Sequence, residues 1–292
     1  MHKAGFVNIV GNPNVGKSTL MNRLVGAQLS IVTNKAQTTR HRIMGIVSGD
    51  DFQIVYSDTP GVLKPNYKLQ ESMLSFSVGA LSDADVILYV TDTIETPDKN
   101  LDFIEKIAHA KVPVILLINK IDLTQPEELE TLAATWLELL PNAQIVPTSA
   151  LENFNTDRII ERIVSLLPES EAFFPKDQLT DKPLRFFASE IIREKILMHY
   201  QKEIPYSVEI TIETYTESPK LDKIAAVINV ARESQKGILI GTQGMMLKKI
   251  GTLARKDLEA FLGKKVFLEL FVKVKQNWRD NPSELKNFGY ME

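Results

Sequence analysis

Residues 11–18 constrain this chain most strongly, because they form a glycine-bracketed turn directly after a short apolar strand at residues 6–10. The turn has the pattern of Gly, four residues, then Gly-Lys-Ser, and a helix is predicted at residues 19–25. Glycines let backbone N–H groups converge on an anion, and the helix adds its positive end. We predict phosphate contacts from Gly11, Asn12, Pro13, Asn14, Val15, Gly16, Lys17, Ser18 and Thr19.

Further apolar runs indicate the fold around this turn. They lie at residues 52–56, 86–90 and 114–118, and helical patterns cover residues 98–110 and 127–140. Apolar runs without polar alternation are typical of strands buried on both faces of a parallel sheet. Strands that alternate with helices favour a doubly wound, mostly parallel α/β domain, which we place at residues 1–170.

The pattern changes after a proline-containing, acidic stretch that we interpret as a linker at residues 171–183. Beyond it we predict a second, α+β domain at residues 184–292. Its predicted elements are a helix at 186–200, strands at 207–216 and 223–232, a helical stretch at 245–262 interrupted near Gly251, and a last strand at 264–275.

Three polar motifs follow apolar strands of the first domain, where ligands of open α/β sheets bind. A carboxylate such as Asp122 can accept hydrogen bonds from both N1–H and N2–H of guanine, whereas adenine presents an acceptor there. We expect Asn119 to brace the loops and the Ala150 amide to reach guanine O6. The predicted contacts to GTP or GDP are Asp58, Thr59, Pro60, Gly61, Asn119, Lys120, Asp122, Ser149, Ala150 and Leu151.

A nucleotide triphosphate site of this kind uses Mg²⁺. We predict that Ser18 and Asp58 hold the ion, Asp58 through water, together with a threonine of the loop at residues 35–42. Thr39 is preferred over Thr38 for this position. Lys17, Thr39 and the Gly61 amide are the predicted catalytic groups, since Lys17 and Gly61 would contact the β and γ phosphates.

Val62 follows Gly61, where small Ras-like GTPases carry a glutamine that orients the attacking water. We therefore expect slow intrinsic hydrolysis. An asparagine at the place of Asn14 helps to hold K⁺ in some GTPases with an apolar residue after the glycine. The two interpretations of Asn14 are a K⁺ ligand and a residue that only shapes the loop.

The charge of the chain is unevenly distributed. The net charge is −3, yet residues 232–279 contain 11 basic and 4 acidic residues, which suggests a polyanionic partner for this segment. A Gly-x-x-Gly turn lies there between an apolar run and a basic helix, and such a KH turn lets a nucleic-acid backbone approach closely. The predicted RNA contacts are Lys236, Gly241, Thr242, Gln243, Gly244, Lys248, Lys249 and Arg255.

Over its whole length the chain resembles the Era family of bacterial GTPases, from the phosphate-binding turn and residues 38–42 to the tail at residues 274–279. The resemblance implies a type II KH domain, binding near the 3′ end of 16S rRNA, a role in assembly of the 30S subunit and peripheral membrane association. The family usually has Gly-Lys-Gly-Gly in the KH turn, whereas this chain has Gly-Thr-Gln-Gly at residues 241–244. The flanking lysines would then supply the phosphate contacts.

Two other functions are compatible with these motifs. One is a GTP-gated assembly factor whose KH domain binds protein, and the other is a metabolic P-loop enzyme, for which we find no second substrate motif. The sequence has no cysteine and no apolar run long enough for a membrane span. We expect a cytoplasmic monomer, and the family resemblance implies peripheral contact with the inner face of the cell membrane.

Overall fold

A computed structural model describes residues 1–291 as two compact units. The first comprises Met1–Pro65 and Met73–Asp181, and the second comprises Asn66–Ser72 and the chain from Lys182 onward. None of the helices within residues 1–291 combines the length and the apolar character needed to cross a membrane.

The first unit is built on a sheet with the order β2-β3-β1-β4-β5-β6, in which only β2 runs antiparallel to its neighbour. Its strands are β1 (Lys3–Gly11), β2 (Ile43–Ser48), β3 (Phe52–Asp58), β4 (Val86–Asp92), β5 (Val114–Asn119) and β6 (Gln144–Pro147). Its helices are α1 (Lys17–Val25), α2 (Lys68–Ser82), α3 (Leu101–Ala108), α4 (Pro126–Leu139) and α5 (Thr156–Leu166). The first residues of α2, up to Ser72, belong to the second unit.

The predicted strands of this unit are present because their apolar runs are buried on both faces. β4 is buried along its entire length, and Tyr89 packs edge-on against Trp136 of α4 at a centroid distance of 5.5 Å.

The helix predicted at 98–110 is shorter than expected: a 3₁₀ turn occupies Pro97–Asn100, and the α-helix begins at Leu101. Proline fits the first turn of a helix, where its missing N–H costs no hydrogen bond.

The predicted linker is hydrogen-bonded to the first unit. Within residues 171–183, the carbonyl of Leu179 accepts a hydrogen bond from the Ile46 amide of the edge strand β2 at 2.8 Å. The Gln53 side chain accepts from the Phe173 and Phe174 amides at 2.7 and 3.0 Å. The segment therefore lies along this edge of the sheet up to Asp181, the last residue of the first unit.

The second unit carries a three-stranded sheet with the order β7-β8-β9, in which β8 is antiparallel to β7 and parallel to β9. The strands are β7 (Glu209–Thr216), β8 (Leu221–Val230) and β9 (Lys265–Val274). The helices are α6 (Leu184–His199), α7 (Ile204–Ser207), α8 (Glu233–Ile240), α9 (Met245–Leu262) and α10 (Pro282–Asn287).

The second unit differs from the sequence prediction at Gly251 and within β7, and its short helices α7, α8 and α10 were not predicted. The helical stretch is not interrupted at Gly251, because α9 is continuous; a Cβ there would come within 3.3 Å of Leu270 on β9, so the glycine permits close packing instead. The strict alternation predicted for residues 207–216 is broken by a register shift between Ile212 and Thr214. Such a bulge leaves one residue unpaired and bends the strand.

Candidate nucleotide and nucleic-acid sites

The turn between β1 and α1 requires glycine at both ends. Gly11 has φ 149°, and a Cβ on it would lie 2.1 Å from the Val90 carbonyl oxygen. Gly16 has φ 96°, and a Cβ on it would lie 2.2 Å from the side-chain nitrogen of Asn119. The turn is therefore pressed against β4 and β5, and a larger residue at either end would displace it.

Lys17 is held inside this turn. Its Nζ donates to the carbonyls of Gly11 at 3.0 Å and Asn12 at 2.8 Å. Burial lowers the pKa of Lys17 to about 8, while the negative charges of Asp58 and Glu95 act in the opposite direction. A buried ammonium group is costly unless an anion approaches it, so the site suits a phosphate ligand.

Three oxygen atoms converge beside Lys17. The Ser18 hydroxyl donates to Asp58 Oδ2 at 2.7 Å and lies 2.9 Å from Thr39 Oγ1, which is 3.3 Å from the same carboxylate oxygen. Burial raises the pKa of Asp58, and its Oδ1 has no hydrogen-bond partner among the described residues. Oxygen donors around an unsatisfied buried carboxylate fit Mg²⁺.

The two threonines of the loop at residues 35–42, which we call the switch loop, have different environments. Thr39 faces Ser18, whereas the Thr38 hydroxyl donates to the Lys35 carbonyl at 2.6 Å and lies 2.7 Å from Thr33 Oγ1. The arrangement therefore favours Thr39 over Thr38 as the third oxygen donor.

The guanine-recognition motifs are joined by hydrogen bonds. Asn119 donates to the Val15 carbonyl at 2.8 Å and accepts from the Ala150 amide at 2.9 Å. Asp122 Oδ1 accepts from Ser149 Oγ at 2.5 Å. The amide that we expected to contact guanine O6 thus donates to Asn119 here. Asn119 connects the phosphate-binding turn to the loop after β6.

A cavity of about 420 Å³ opens between the phosphate-binding turn and the switch loop. Its lining includes Lys17, Ser18, Thr39, Gly61 and Lys120. Residues from the phosphate-binding turn, the loop at residues 35–42, Gly61 and the guanine-recognition residue Lys120 therefore face one space.

The Gly-x-x-Gly turn of the second unit lies between α8 and α9. Gln243 has φ 53° and Gly244 has φ 76°, so two consecutive residues are left-handed. Glutamine rarely adopts this conformation, at a cost on the order of 1 kcal/mol. The chain thus keeps the backbone form of a glycine-rich turn although glycine is absent at position 243.

A groove of about 540 Å³ extends from this turn along α9 towards β9. Three of the predicted RNA contacts line it, namely Gly244, Lys248 and Arg255. Lys249 is exposed, and its charge helps to lower the pKa of His199, after the larger effect of burial. The groove therefore has a basic rim from α9 and an apolar floor from β9.

Comparisons with known proteins agree with both sites. A family model described as a 50S ribosome-binding GTPase matches residues 6–120, and one described as a KH domain matches residues 203–279. A structure of Aquifex aeolicus Era, a tyrosine-to-alanine variant bound to GDP·AlF4⁻, is 41% identical, with a TM-score of 0.94 over 99% of this chain and 100% of that chain. A structure of Era with MgGDPNP and nucleotides 1506–1542 of 16S ribosomal RNA is 41% identical, with a TM-score of 0.95 over 100% of both chains. The chain belongs to the Era family.

Membership of the Era family confirms the predicted fold, an α/β GTPase domain followed by a KH domain. The individual nucleotide and RNA contacts predicted for this Era-family chain stay predictions, although the structure shows where each of these residues lies. Thr59 donates its hydroxyl to the Ile9 carbonyl at 2.8 Å, and the Pro60 carbonyl accepts from Ser77 at 2.7 Å. These two hydrogen bonds attach the segment at residues 58–61 to β1 and α2.

Several residues beside the Era-family nucleotide site were missed from the sequence. Arg23 of α1 donates to the Ala150 and Leu151 carbonyls at 3.2 and 3.1 Å. Lys120, itself left-handed, pairs with Asp92 at 2.6 Å. Asn12 bonds with Glu95 and Asn100 of the loop after β4. Arg23, Asp92, Glu95 and Asn100 belong to no recognisable motif, so only the pairing of distant segments in the fold reveals them.

Proposed function

We propose that this protein is a GTP-binding and GTP-hydrolysing switch that binds 16S rRNA near its 3′ end and assists assembly of the 30S ribosomal subunit. The main support is its similarity, over the full chain and at 41% identity, to an Era structure with MgGDPNP and 16S rRNA nucleotides. Because that relative holds RNA, a KH domain that binds only protein is not favoured.

The first domain binds the nucleotide through groups with distinct roles. Backbone N–H groups of residues 11–18 and the buried Lys17 ammonium surround the β and γ phosphates. Asp122 accepts from the guanine N1–H and N2–H, and Ser149 orients it through a 2.5 Å hydrogen bond. Asn119 supports both regions. Charge and hydrogen bonding thus select a phosphorylated guanosine.

The oxygens of Ser18, Thr39 and Asp58 are the groups that would hold Mg²⁺, with Asp58 acting through water. When bound, Mg²⁺ neutralises the negative charge of the phosphates. Thr39 belongs to the switch loop and therefore couples the order of that loop to the γ phosphate. This is the behaviour expected of a GTPase switch segment.

Hydrolysis in this protein is slow and depends on electrostatic positioning. Val62 is apolar, so the Gly61 amide and Lys17 are the groups available to contact the γ phosphate. Asn14 is exposed, left-handed and part of the cavity lining, which suits a K⁺ ligand beside the phosphates. K⁺ would supply the positive charge that an arginine finger supplies in other GTPases.

The KH domain binds single-stranded RNA along the groove beside α9. Lys248 and Arg255 contact phosphates, and the Gly241–Gly244 turn admits the backbone closely, with Lys236 and Lys249 adding charge at longer range. The protein acts as a cytoplasmic monomer with peripheral membrane contact. The support for this last statement is family resemblance alone, and cell fractionation tests it.

The proposal is tested with the purified full-length chain, Mg²⁺, and an RNA equivalent to nucleotides 1506–1542 of 16S rRNA. We expect tight GTP and GDP binding, weak ATP binding, and RNA binding that differs between a GTP analogue and GDP. A scrambled RNA of equal length is the control. Equal affinity for ATP and GTP, or equal binding of the scrambled RNA, would contradict the proposal.

A matched pair of variants tests the guanine-recognition residue. Asp122→Asn should weaken the binding of both GTP and GDP by about 10³-fold, because an amide cannot accept both guanine N–H groups. Asp157→Asn, at an exposed position on α5, should leave the affinity unchanged. Isothermal titration with GDP measures both affinities.

Hydrolysis in K⁺ and in Na⁺ at equal ionic strength tests the role of Asn14. If Asn14 is a K⁺ ligand, Asn14→Ala should remove the difference in hydrolysis rate between the two ions.

A further inference from the structure

The side chain of Asn12, in the phosphate-binding turn, is fixed at both ends. Asn12 is 3% exposed, so its polar atoms depend on protein partners. Its Nδ2 donates to Glu95 Oε2 at 2.8 Å, and its Oδ1 accepts from Asn100 Nδ2 at 2.5 Å. Both partners lie in the loop between β4 and α3. The turn is therefore tied to a segment that carries no nucleotide-binding motif.

The Glu95 end of this connection is itself well supported. Glu95 Oε1 accepts from the Thr91 hydroxyl of β4 at 2.9 Å. The Asp92 carboxylate accepts from the Ile94 and Glu95 amides, both at 2.9 Å, and so fixes the backbone that carries Glu95. An acceptor with both oxygens engaged is held in one orientation, which in turn orients Asn12.

The Asn100 end reaches Val62, directly after Gly61. Besides Asn12, Asn100 Nδ2 donates to the Val62 carbonyl at 3.3 Å. The Val62 amide donates to the Gly11 carbonyl at 3.1 Å. The residue directly after Gly61 is thus bonded on one side to the end of β1 and on the other side, through Asn100, to Asn12.

We propose that Glu95, Asn12 and Asn100 are positioning residues for GTP hydrolysis, which hold the Gly61–Val62 segment at a fixed place beside the phosphates. This inference rests on the proposed GTPase function and gives a positioning role to two residues outside the motifs, Glu95 and Asn100, and to the side chain of Asn12 within the phosphate-binding turn. Asn100 contacts the segment whose Gly61 amide is expected to contact the γ phosphate, Asn12 acts through Asn100, and Glu95 acts through Asn12.

The apolar Val62 explains why such positioning matters in this chain. Without a side chain to orient water, hydrolysis depends on where backbone groups lie, and a displacement of about 1 Å costs about 10²-fold in rate. GDP has no γ phosphate, so its affinity depends much less on the position of Gly61. Loss of the connection should therefore lower kcat for GTP and leave GDP binding nearly unchanged.

The decisive variants alter the two ends of the connection. Asn100→Ala removes both donated hydrogen bonds, and Asn100→Asp keeps the shape of the side chain but cannot donate. Both should lower kcat by at least about tenfold, with GDP affinity within about twofold of the wild type. Glu95→Ala should act in the same direction. Glu95→Gln should recover most of that loss, because its amide oxygen can accept from Asn12 while its nitrogen donates to Thr91.

Matched controls are Asn142→Ala and Glu130→Ala, which replace exposed residues outside the connection. Single-turnover hydrolysis, GDP titration and urea unfolding are measured on the full-length chain for each variant. A fall in GDP affinity and unfolding free energy as large as the fall in kcat would show a merely structural role and overturn the inference. So would normal kcat in both Asn100 variants. Absence of GTPase activity in the wild type would instead contradict the proposed function.

Discussion

The burial of Val62 explains why a glutamine at this position would not act as the water-orienting glutamine of Ras-like GTPases does. Its side chain is 4% exposed and belongs to the core cluster that also contains Val10, Ala80 and Phe103. A glutamine at position 62 would point into this apolar core, where a buried amide without partners costs about 1–3 kcal/mol. It would not reach water beside the phosphates.

We therefore expect Val62→Gln to leave the hydrolysis rate unchanged or lower, and to reduce the free energy of unfolding by about 1–3 kcal/mol. Single-turnover hydrolysis and urea unfolding measure the two effects. Leu137→Gln, at an exposed position on α4, is the matched control and should be nearly neutral. A rate increase of tenfold or more would mean that position 62 faces the nucleotide, against the burial observed.

Residues differ in how far the sequence could predict their roles. Gly11, Lys17 and Asp122 belong to local motifs in which chemistry fixes both residue type and spacing. Glu95 and Asn100 meet Asn12 across 83 and 88 residues, so no local pattern indicates them. Their partners are set by the order of the strands, which brings the loop after β4 beside the turn after β1.

Two neighbouring lysines of helix α9, both predicted from the sequence to contact RNA, lie in different environments. Lys248 lines the groove beside Gly244, whereas Lys249 lies outside its lining and affects His199. Consecutive residues of a helix differ in direction by about 100°, so both cannot face the same groove. We therefore expect the stronger phosphate contact from Lys248.

Lys248→Ala should weaken binding of the 16S rRNA fragment by about tenfold, while Lys249→Ala should weaken it by less than about threefold. The two variants carry the same charge, so each is the control for the other. Fluorescence anisotropy at fixed salt measures both affinities. Equal losses would mean that net charge, and not the groove, determines binding.

The sequence predicted helices and strands best where burial is one-sided or complete. The buried runs of β3, β4 and β5 and the alternating β9 follow directly from periodicity. It could not predict that Gly251 lies within a continuous helix, because the close packing of Leu270 on β9 against this position is set by the fold. The edge strand β2 has no distinctive sequence pattern and was not predicted. Only its antiparallel pairing with β3 identifies it.

The two domains of the whole molecule differ in charge. Residues 232–279 have a basic surplus although the net charge is −3, so the rest of the chain is acidic. Composition and the change of pattern near residue 171 were sufficient to predict two domains. They did not indicate that residues up to Asp181 lie against the first domain, because this depends on hydrogen bonds to Gln53 and Ile46.

This charge distribution predicts how RNA binding responds to salt. Each neutralised phosphate of a single strand releases counterions, and about three such contacts give a slope of about −2 for log affinity against log salt. Affinity for the 16S rRNA fragment should then fall about 16-fold between about 50 and about 200 mM NaCl. Lys248→Ala should reduce the magnitude of the slope by about 0.7, because one phosphate contact is lost, and Lys249→Ala should change it less. A slope near zero would contradict phosphate recognition by this domain and leave shape or base stacking as the source of affinity.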